Sequence, residues 1–331
     1  MKNKLRDTDY LFISARIHAQ ESRMLTRERM ERMLTARSDA EAMKVLAECG
    51  FSELHSLDEL DAALSRERES VYADLASLSP NPGIIDAFRI KYDYHNAKAL
   101  LKAVAAGTDG RHMLIDAGRV PADALAAAVS EDSSSALPDA FARAVAEAKS
   151  VLSATGDPQR SDFLLDRAYF AEMLSAAERS GSDFLLGYVR ASIDSANLRS
   201  AVRAARLHKD ADFLALALVP GGTVADRAFL TAARTGGELA PLFSGSILRP
   251  AAELGDAARK GGKLTAFEKA CDDALVSYLR SSRLTPFGDS VLIAYLAARE
   301  NEITAARIIM SGRAAGVPAD SIRERLREAY V

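Results

Sequence analysis

The chain has 331 residues, of which 48% are apolar and 27% are charged, and its formal net charge is −3. This composition excludes a disordered chain, and the slightly acidic balance provides no general attraction to nucleic acid or to anionic lipid. The two cysteines, Cys49 and Cys271, form no CxxC pair, so we expect two reduced thiols. No stretch approaches the roughly 20 apolar residues that span a bilayer, and residues 1–10 lack the apolar core of a signal peptide.

Helical periodicity runs through the whole chain, and no run of alternating β-branched residues predicts a strand. Thr26 and Ser38 are the expected N-caps of two early helices. We therefore predict an all-α protein with short loops, with irregular stretches near 106–120, 131–138, 154–161 and 235–262. The predicted helices cover 10–25, a segment after Thr26, 39–46, 59–77, 84–105, 122–130, 139–153, 165–179, 183–208, 224–233, 264–281, 288–311 and 319–329.

Asparagine reveals an internal repeat. Three of the five asparagines recur at intervals of 101 and 104 residues, and each has a basic residue six positions later. A unit of roughly 100 residues thus occurs three times, and we predict units at 1–116, 117–219 and 220–331. The markers of the repeat are Asn96 with Lys102, Asn197 with Arg203, and Asn301 with Arg307.

Each repeated asparagine lies in a largely apolar stripe of its helix, which predicts a buried and hydrogen-bonded side chain. An acid precedes the asparagine by three residues in the first two units, as Asp93 and Asp194. In the third unit the acids flank Asn301, as Glu300 and Glu302. Because three equivalent units share this pattern, we interpret the asparagines as architectural contacts; a ligand-binding role is the less favoured alternative.

Motifs that would carry chemistry are weak. The segment 257–264 resembles a phosphate loop but lacks its first Gly and the Ser/Thr after Lys263, so a solvated loop is the better interpretation. The histidines have no metal-ligand spacing, and no GxSxG is present. Arginines at 199, 203 and 206 and at 323, 325 and 327 favour a solvated or internally paired face, with a protein contact as the alternative. We predict no catalytic, cofactor or metal site.

Several motifs in a fixed order carry a family resemblance. They are Tyr10-Leu-Phe-Ile-Ser-Ala-Arg-Ile17, Leu165-Asp-Arg-Ala-Tyr-Phe170, the stretch from Tyr188 to Arg199, Pro286-Phe-Gly288, Tyr295, Glu300-Asn-Glu-Ile303 and Arg307-Ile-Ile309. Together they span nearly the whole chain. In this order the chain resembles the C-type subunit of prokaryotic V/A-type ATPases (ATP synthases), the family to which the d-type subunit of eukaryotic V-ATPases also belongs.

The resemblance implies three similar helical bundles arranged as a funnel or socket, without an active site or cofactor. It implies a single, non-catalytic rotor subunit, monomeric alone and peripheral on the cytoplasmic face. Its partners would be the membrane rotor ring of proteolipid subunits and the central-stalk subunits of the D and F type, with membrane contact only through the ring. Torque would pass between ATP hydrolysis or synthesis and proton or sodium transport. The coupled ion and the contact residues stay open.

Two other functions remain as alternatives. A helical-repeat adaptor outside any ATPase would bind peptides along an exposed apolar groove. An all-helical enzyme would require a unique cluster of ionisable groups in a pocket.

Overall fold

A computed structural model describes residues 5–52, 54, 56–131 and 137–331. Within these ranges the chain forms α-helices and short 3-10 turns and no strand, so the all-α prediction is confirmed. The arrangement as three bundles in a funnel stays a prediction. The helices are α1 Leu11–Glu21, α2 Arg27–Thr35, α3 Asp39–Glu48, α4 Leu60–Leu78, α5 Pro82–Ala106, α6 Ala122–Glu131, α7 Asp139–Thr155, α8 Pro158–Ser180, α9 Asp183–Arg206, α10 Ala211–Ala217, α11 Asp226–Thr235, α12 Arg249–Arg259, α13 Leu264–Arg280, α14 Asp289–Ala314 and α15 Ala319–Arg323.

The helices belong to two compact units. One combines Met1–Pro82 with Phe243–Val331, and the other is Gly83–Leu242; we call them the discontinuous unit and the central unit. The division into repeats at 1–116, 117–219 and 220–331 stays a prediction. None of the helices that the structure describes is both long and apolar enough to cross a membrane.

Local sequence explains several helix starts. The Thr26 hydroxyl accepts the Arg29 backbone N–H, and the Ser38 hydroxyl accepts that of Glu41. Each bond satisfies one of the donors that a helix N-terminus leaves without an intrahelical partner, so both predicted N-caps are confirmed. At its other end, α7 stops at Gly156, whose φ of 65° is a left-handed conformation that favours glycine.

Helices occur in two stretches that were predicted to be irregular. α8 begins at Pro158, because the Asp157 carboxylate accepts the Gln159 N–H and proline is compatible with the first helical turn. The stretch 235–262 contains α12, which also has a proline, Pro250, in its first turn. The predicted irregular stretch 131–138 lies mostly outside the described residues.

The C-terminal helix is shorter than predicted. α15 ends at Arg323, whereas periodicity predicted a helix over 319–329. Side chains of α13 bind the tail that follows: Lys269 donates to the Leu326 carbonyl at 2.6 Å, and Arg280 donates to the Ala329 carbonyl. These bonds to main-chain carbonyls replace the helical bonds that the tail would otherwise form.

Each unit has its own core. In the central unit the Tyr94 ring of α5 packs edge-on against Phe141 of α7, with ring centroids 5.0 Å apart, and against Tyr169 of α8 at 5.9 Å. In the discontinuous unit α14 is the central helix and packs against α1, α2, α3, α4, α13 and α15. Both long helices, α5 and α14, therefore carry buried residues around most of their circumference.

Candidate functional site: polar anchors on the long helices

The first anchor joins α5 to the loop that follows it. Asn96 is fully buried, its amide nitrogen donates to the Ile115 carbonyl at 2.8 Å, and its amide oxygen accepts the Ile115 N–H at 2.9 Å. One helical turn earlier, the buried Asp93 carboxylate accepts the N–H groups of Arg119 at 2.9 Å and Val120 at 3.1 Å. The loop is thus held at two points along one face of the helix.

The second anchor repeats this arrangement on α9. Asn197 is fully buried and exchanges both hydrogen bonds with the Val219 backbone, each at 2.8 Å. Asp194 accepts the N–H groups of Thr223 and Val224, both at 3.1 Å, and also the Thr223 hydroxyl. The prediction of buried, hydrogen-bonded asparagines is therefore confirmed for Asn96 and Asn197.

The loop at each anchor has a glycine where its backbone lies against the helix carboxylate. A β-carbon on Gly118 would overlap the Asp93 carboxylate, and one on Gly222 would overlap that of Asp194. Each glycine immediately precedes the residue whose N–H the carboxylate accepts. The absence of a side chain therefore lets the loop backbone approach the helix closely. Sequence reasoning missed both glycines, although each lies three residues after the backbone partner of its asparagine.

Charge compensation at the first anchor extends to α8. The Arg119 guanidinium bonds Asp93 at 2.7 Å and Glu172 of α8 at 2.6 Å, and the Tyr94 hydroxyl donates to Glu172 at 3.1 Å. Burial raises the pKa of Asp93, while the Val120 N–H and the Arg119 side chain act in the opposite direction. Arg119 thus compensates two carboxylates that burial would otherwise disfavour.

The predicted third marker, Asn301, behaves differently. Its side chain is exposed on α14, so the prediction of a buried asparagine there is wrong. Its stripe neighbours Ala297 and Ala305 are buried, but they lie at the edge of the buried arc, and Asn301 and Thr304 face outward. Small alanines at the edge of a buried arc mimic a fully apolar stripe in the sequence.

Glu302, the next residue, occupies the buried position on α14. It is 5% exposed and accepts the Leu25 N–H at 2.5 Å, from the turn between α1 and α2. Its loop partner comes from the N-terminal part of the chain, whereas the partners of Asn96 and Asn197 come from downstream loops. We call this contact the third anchor; in the sequence, Glu302 stands out only as one of the two acids that flank Asn301.

The third anchor is ionic. Arg299, one turn before Glu302 and also buried, pairs with Glu302 and with Glu67 of α4. Burial raises the pKa of Glu302 to about 7, although Arg299 and the Leu25 N–H favour the charged carboxylate. Desolvation is therefore the larger effect on Glu302.

The basic repeat markers form ordinary surface contacts. Lys102 pairs with Asp162 at 2.6 Å, and Arg307 pairs with Asp61 at 3.0 Å. Arg203 is exposed on α9. The anchors bring the asparagines and their preceding acids together with loop backbone, but these basic side chains lie outside the hydrogen bonds that define the anchors.

The weak chemical motifs have structural explanations. The segment 257–264 comprises the end of α12, the tight turn that follows it and the first residue of α13, and the Gly262 N–H donates to the Ala257 carbonyl at 2.9 Å. Arg323 pairs with Glu31 and Asp320, as an internally paired face predicts. Among the residues that the structure describes, no group of three His, Cys, Asp or Glu side chains is placed to hold a metal ion.

Comparison with known proteins places these anchors in a family context. The family model described as "ATP synthase (C/AC39) subunit" matches residues 13–325, which include all three anchors. The C-type subunit of the V-type sodium ATPase of Enterococcus hirae is 26% identical over 82% of this chain and 83% of its own length. The C-type subunit of the A-type ATP synthase of Halorubrum lacusprofundi is 27% identical over 95% and 96%. The C-type subunit of the V-type ATP synthase of Thermus thermophilus is 24% identical over 96% and 98%.

Proposed function

The chain belongs to the ATP synthase (C/AC39) subunit family and is therefore a subunit of a V/A-type ATPase. From this premise we propose that it is a non-catalytic central-rotor subunit. It links the central stalk to the membrane rotor ring and transmits torque between ATP hydrolysis or synthesis and ion transport. The observation that carries the proposal is the family match, which covers residues 13–325 and so nearly the whole chain.

The anchors support a mechanical role. At each of the first two, backbone groups of a loop are bound to a long helix by reciprocal amide bonds and by a buried carboxylate one turn away. Hydrogen bonds of this kind are directional, so they hold the loop in one position relative to the helix. A body that passes force between two partners requires such fixed connections between its elements.

The proposal includes specific partners and a location. The partners are the proteolipid ring on one side and the D- and F-type stalk subunits on the other. The protein lies at the cytoplasmic face, in one copy per complex, and meets the membrane only through the ring. These assignments follow from the family resemblance.

Deletion of the chain in its native host tests the proposal. In inverted membrane vesicles from the deletion strain, we expect that ATP hydrolysis by any remaining head complex no longer drives ion uptake. Reintroduction of the wild-type chain is the control and restores the coupling. Vesicles that lack the chain and still pump ions with normal coupling would contradict the proposal.

A further inference from the structure

The helical hairpin of the central unit carries an open groove. α7 and α8 pack side by side and are joined by only two residues, Gly156 and Asp157, so they run antiparallel. The groove between them has a volume of about 660 Å³. We call it the hairpin groove; its apolar lining includes Ala140, Ala144, Phe163, Leu164, Ala168 and, from α10, Leu216.

The groove has the length of a short helix. On α7 its lining residues lie at positions 140, 143, 144, 147 and 151, and on α8 they run from 160 to 171. Spacings of three and four place each set on one face of its helix. Eleven residues at 1.5 Å each give a groove about 16 Å long, which corresponds to about three helical turns.

The groove lining combines small alanines with larger apolar side chains. The alanines lie on both helices, at Ala140 and Ala144 of α7 and at Ala168 and Ala171 of α8. They leave room for another backbone to approach, since helices pack at distances that depend on the side chains at the contact. Leu216 is 44% exposed, an apolar surface without cover from the described residues.

Positive charge is distributed along the groove. Arg143, Arg160 and Arg167 line it, against a single lining acid, Glu147. Arg143 is exposed and forms no ion pair within the described part of the chain. Arg167 is bound by the main-chain carbonyls of residues 215 and 218, which carry no formal charge to balance it.

The spacing of these charges favours an extended ligand. Arg160 lies one turn from the hairpin bend and pairs with Asp157 at 3.6 Å, whereas Arg143 lies near the far end. At 1.5 Å per residue the two are separated by about 15 Å along the hairpin. A single-headed amphiphile has one anionic group and matches one end only. A helix with acids at both ends of an apolar stripe matches the whole groove.

We propose that the hairpin groove binds one amphipathic helix of another ATPase subunit, about three turns long, with apolar side chains over the alanines and acidic side chains beside Arg143 and Arg160. This inference rests on the proposed function, because it takes the partner from the same complex. Apolar burial supplies the affinity, and the arginines fix the orientation of the bound helix.

Photo-crosslinking in the intact complex tests the inference. A benzoylphenylalanine residue at position 140, introduced into the full chain and purified with the native complex, is expected to react with a helical segment of another subunit that carries acids beside an apolar stripe. The control places the same residue at Ala146, an exposed position of α7 outside the groove lining. Reaction at position 140 with lipid, with a second copy of this chain or with no partner overturns the inference.

Matched substitutions give the second measurement. Ala140→Glu adds bulk to the groove lining and a negative charge that repels an acidic ligand. We expect it to weaken incorporation of the chain into the complex by about tenfold or more, whereas Ala146→Glu leaves incorporation unchanged. Circular dichroism confirms that both variants fold. Equal incorporation of the two variants overturns the inference while the proposed function stands. Failure of the wild-type chain to join the complex contradicts the proposed function, and the inference with it.

Discussion

Removal of one anchor amide provides the sharpest test of the anchors. In Asn197→Ala, the Val219 N–H and carbonyl lose both partners while they remain buried. Each unsatisfied main-chain group costs about 1–3 kcal/mol, so the pair costs about 4 kcal/mol. Alanine favours the helix by about 0.6 kcal/mol over asparagine. We therefore expect the free energy of unfolding to fall by about 3 kcal/mol.

The matched control is Asn301→Ala, which changes the same residue type on an exposed helix face. Surface substitutions of this kind change stability by at most about 0.5 kcal/mol. Urea unfolding followed by far-ultraviolet circular dichroism measures both variants. Hydrogen exchange at the Val219 amide reports the local effect, and its protection falls only in Asn197→Ala. Equal stability of the two variants would refute the assignment of Asn197 as a structural anchor.

Three further predictions concern the same contacts. Gly222→Ala forces a β-carbon against the Asp194 carboxylate and lowers the free energy of unfolding by about 1–3 kcal/mol in urea titrations; unchanged stability would contradict the close approach. Arg119→Met leaves two partly or fully buried carboxylates without their cation and costs about 3–5 kcal/mol. Arg32→Met, at a solvent-exposed ion pair, leaves the free energy of unfolding nearly unchanged. The Glu302 carboxyl holds its proton to about pH 7 when folded but releases it near 4.5 when unfolded, so the free energy of unfolding falls by about 3 kcal/mol as pH rises between these values. Glu302→Gln removes that part of the pH dependence, and an unchanged slope in the variant would refute the raised pKa.

The sequence predicted the helical half of each anchor better than the loop half. Asn96 and Asn197, and the acids three residues before them, were found because they recur at a regular interval. The burial of the asparagines was predicted because side chains three or four residues apart share a helix face. Their partners are main-chain groups of Ile115 and Val219, which lie about twenty residues downstream. The path of a loop depends on tertiary contacts, and any residue type except proline offers the same N–H and carbonyl. No residue pattern therefore marks such a partner in advance.

The third anchor shows a different limit. A glutamate in a helix ordinarily indicates a solvent-exposed face. Arg299 and the Leu25 N–H offset part of the cost of burying the Glu302 carboxyl, and both depend on the path of the chain around α14. Neighbouring Asn301 has the expected residue type but faces outward. A shift of one position on a helix rotates a side chain by about 100°, so a repeat aligned by residue identity alone places the marker on the wrong face.

The form of the first two anchors bears on the proposed rotor role, in which the subunit would carry load. Apolar packing is non-directional, so packed surfaces retain much of their stabilisation when they slide by a small distance. Each anchor instead combines a reciprocal amide pair with a carboxylate one helical turn away, and the two contacts bind loop residues four or five positions apart. Displacement of the loop along or around the helix breaks bonds at both points and leaves buried polar groups without partners. An abrupt, costly response to displacement gives a body its stiffness. The loops held in this way lead directly into α6 and α11, so force applied to either short helix passes to a long one.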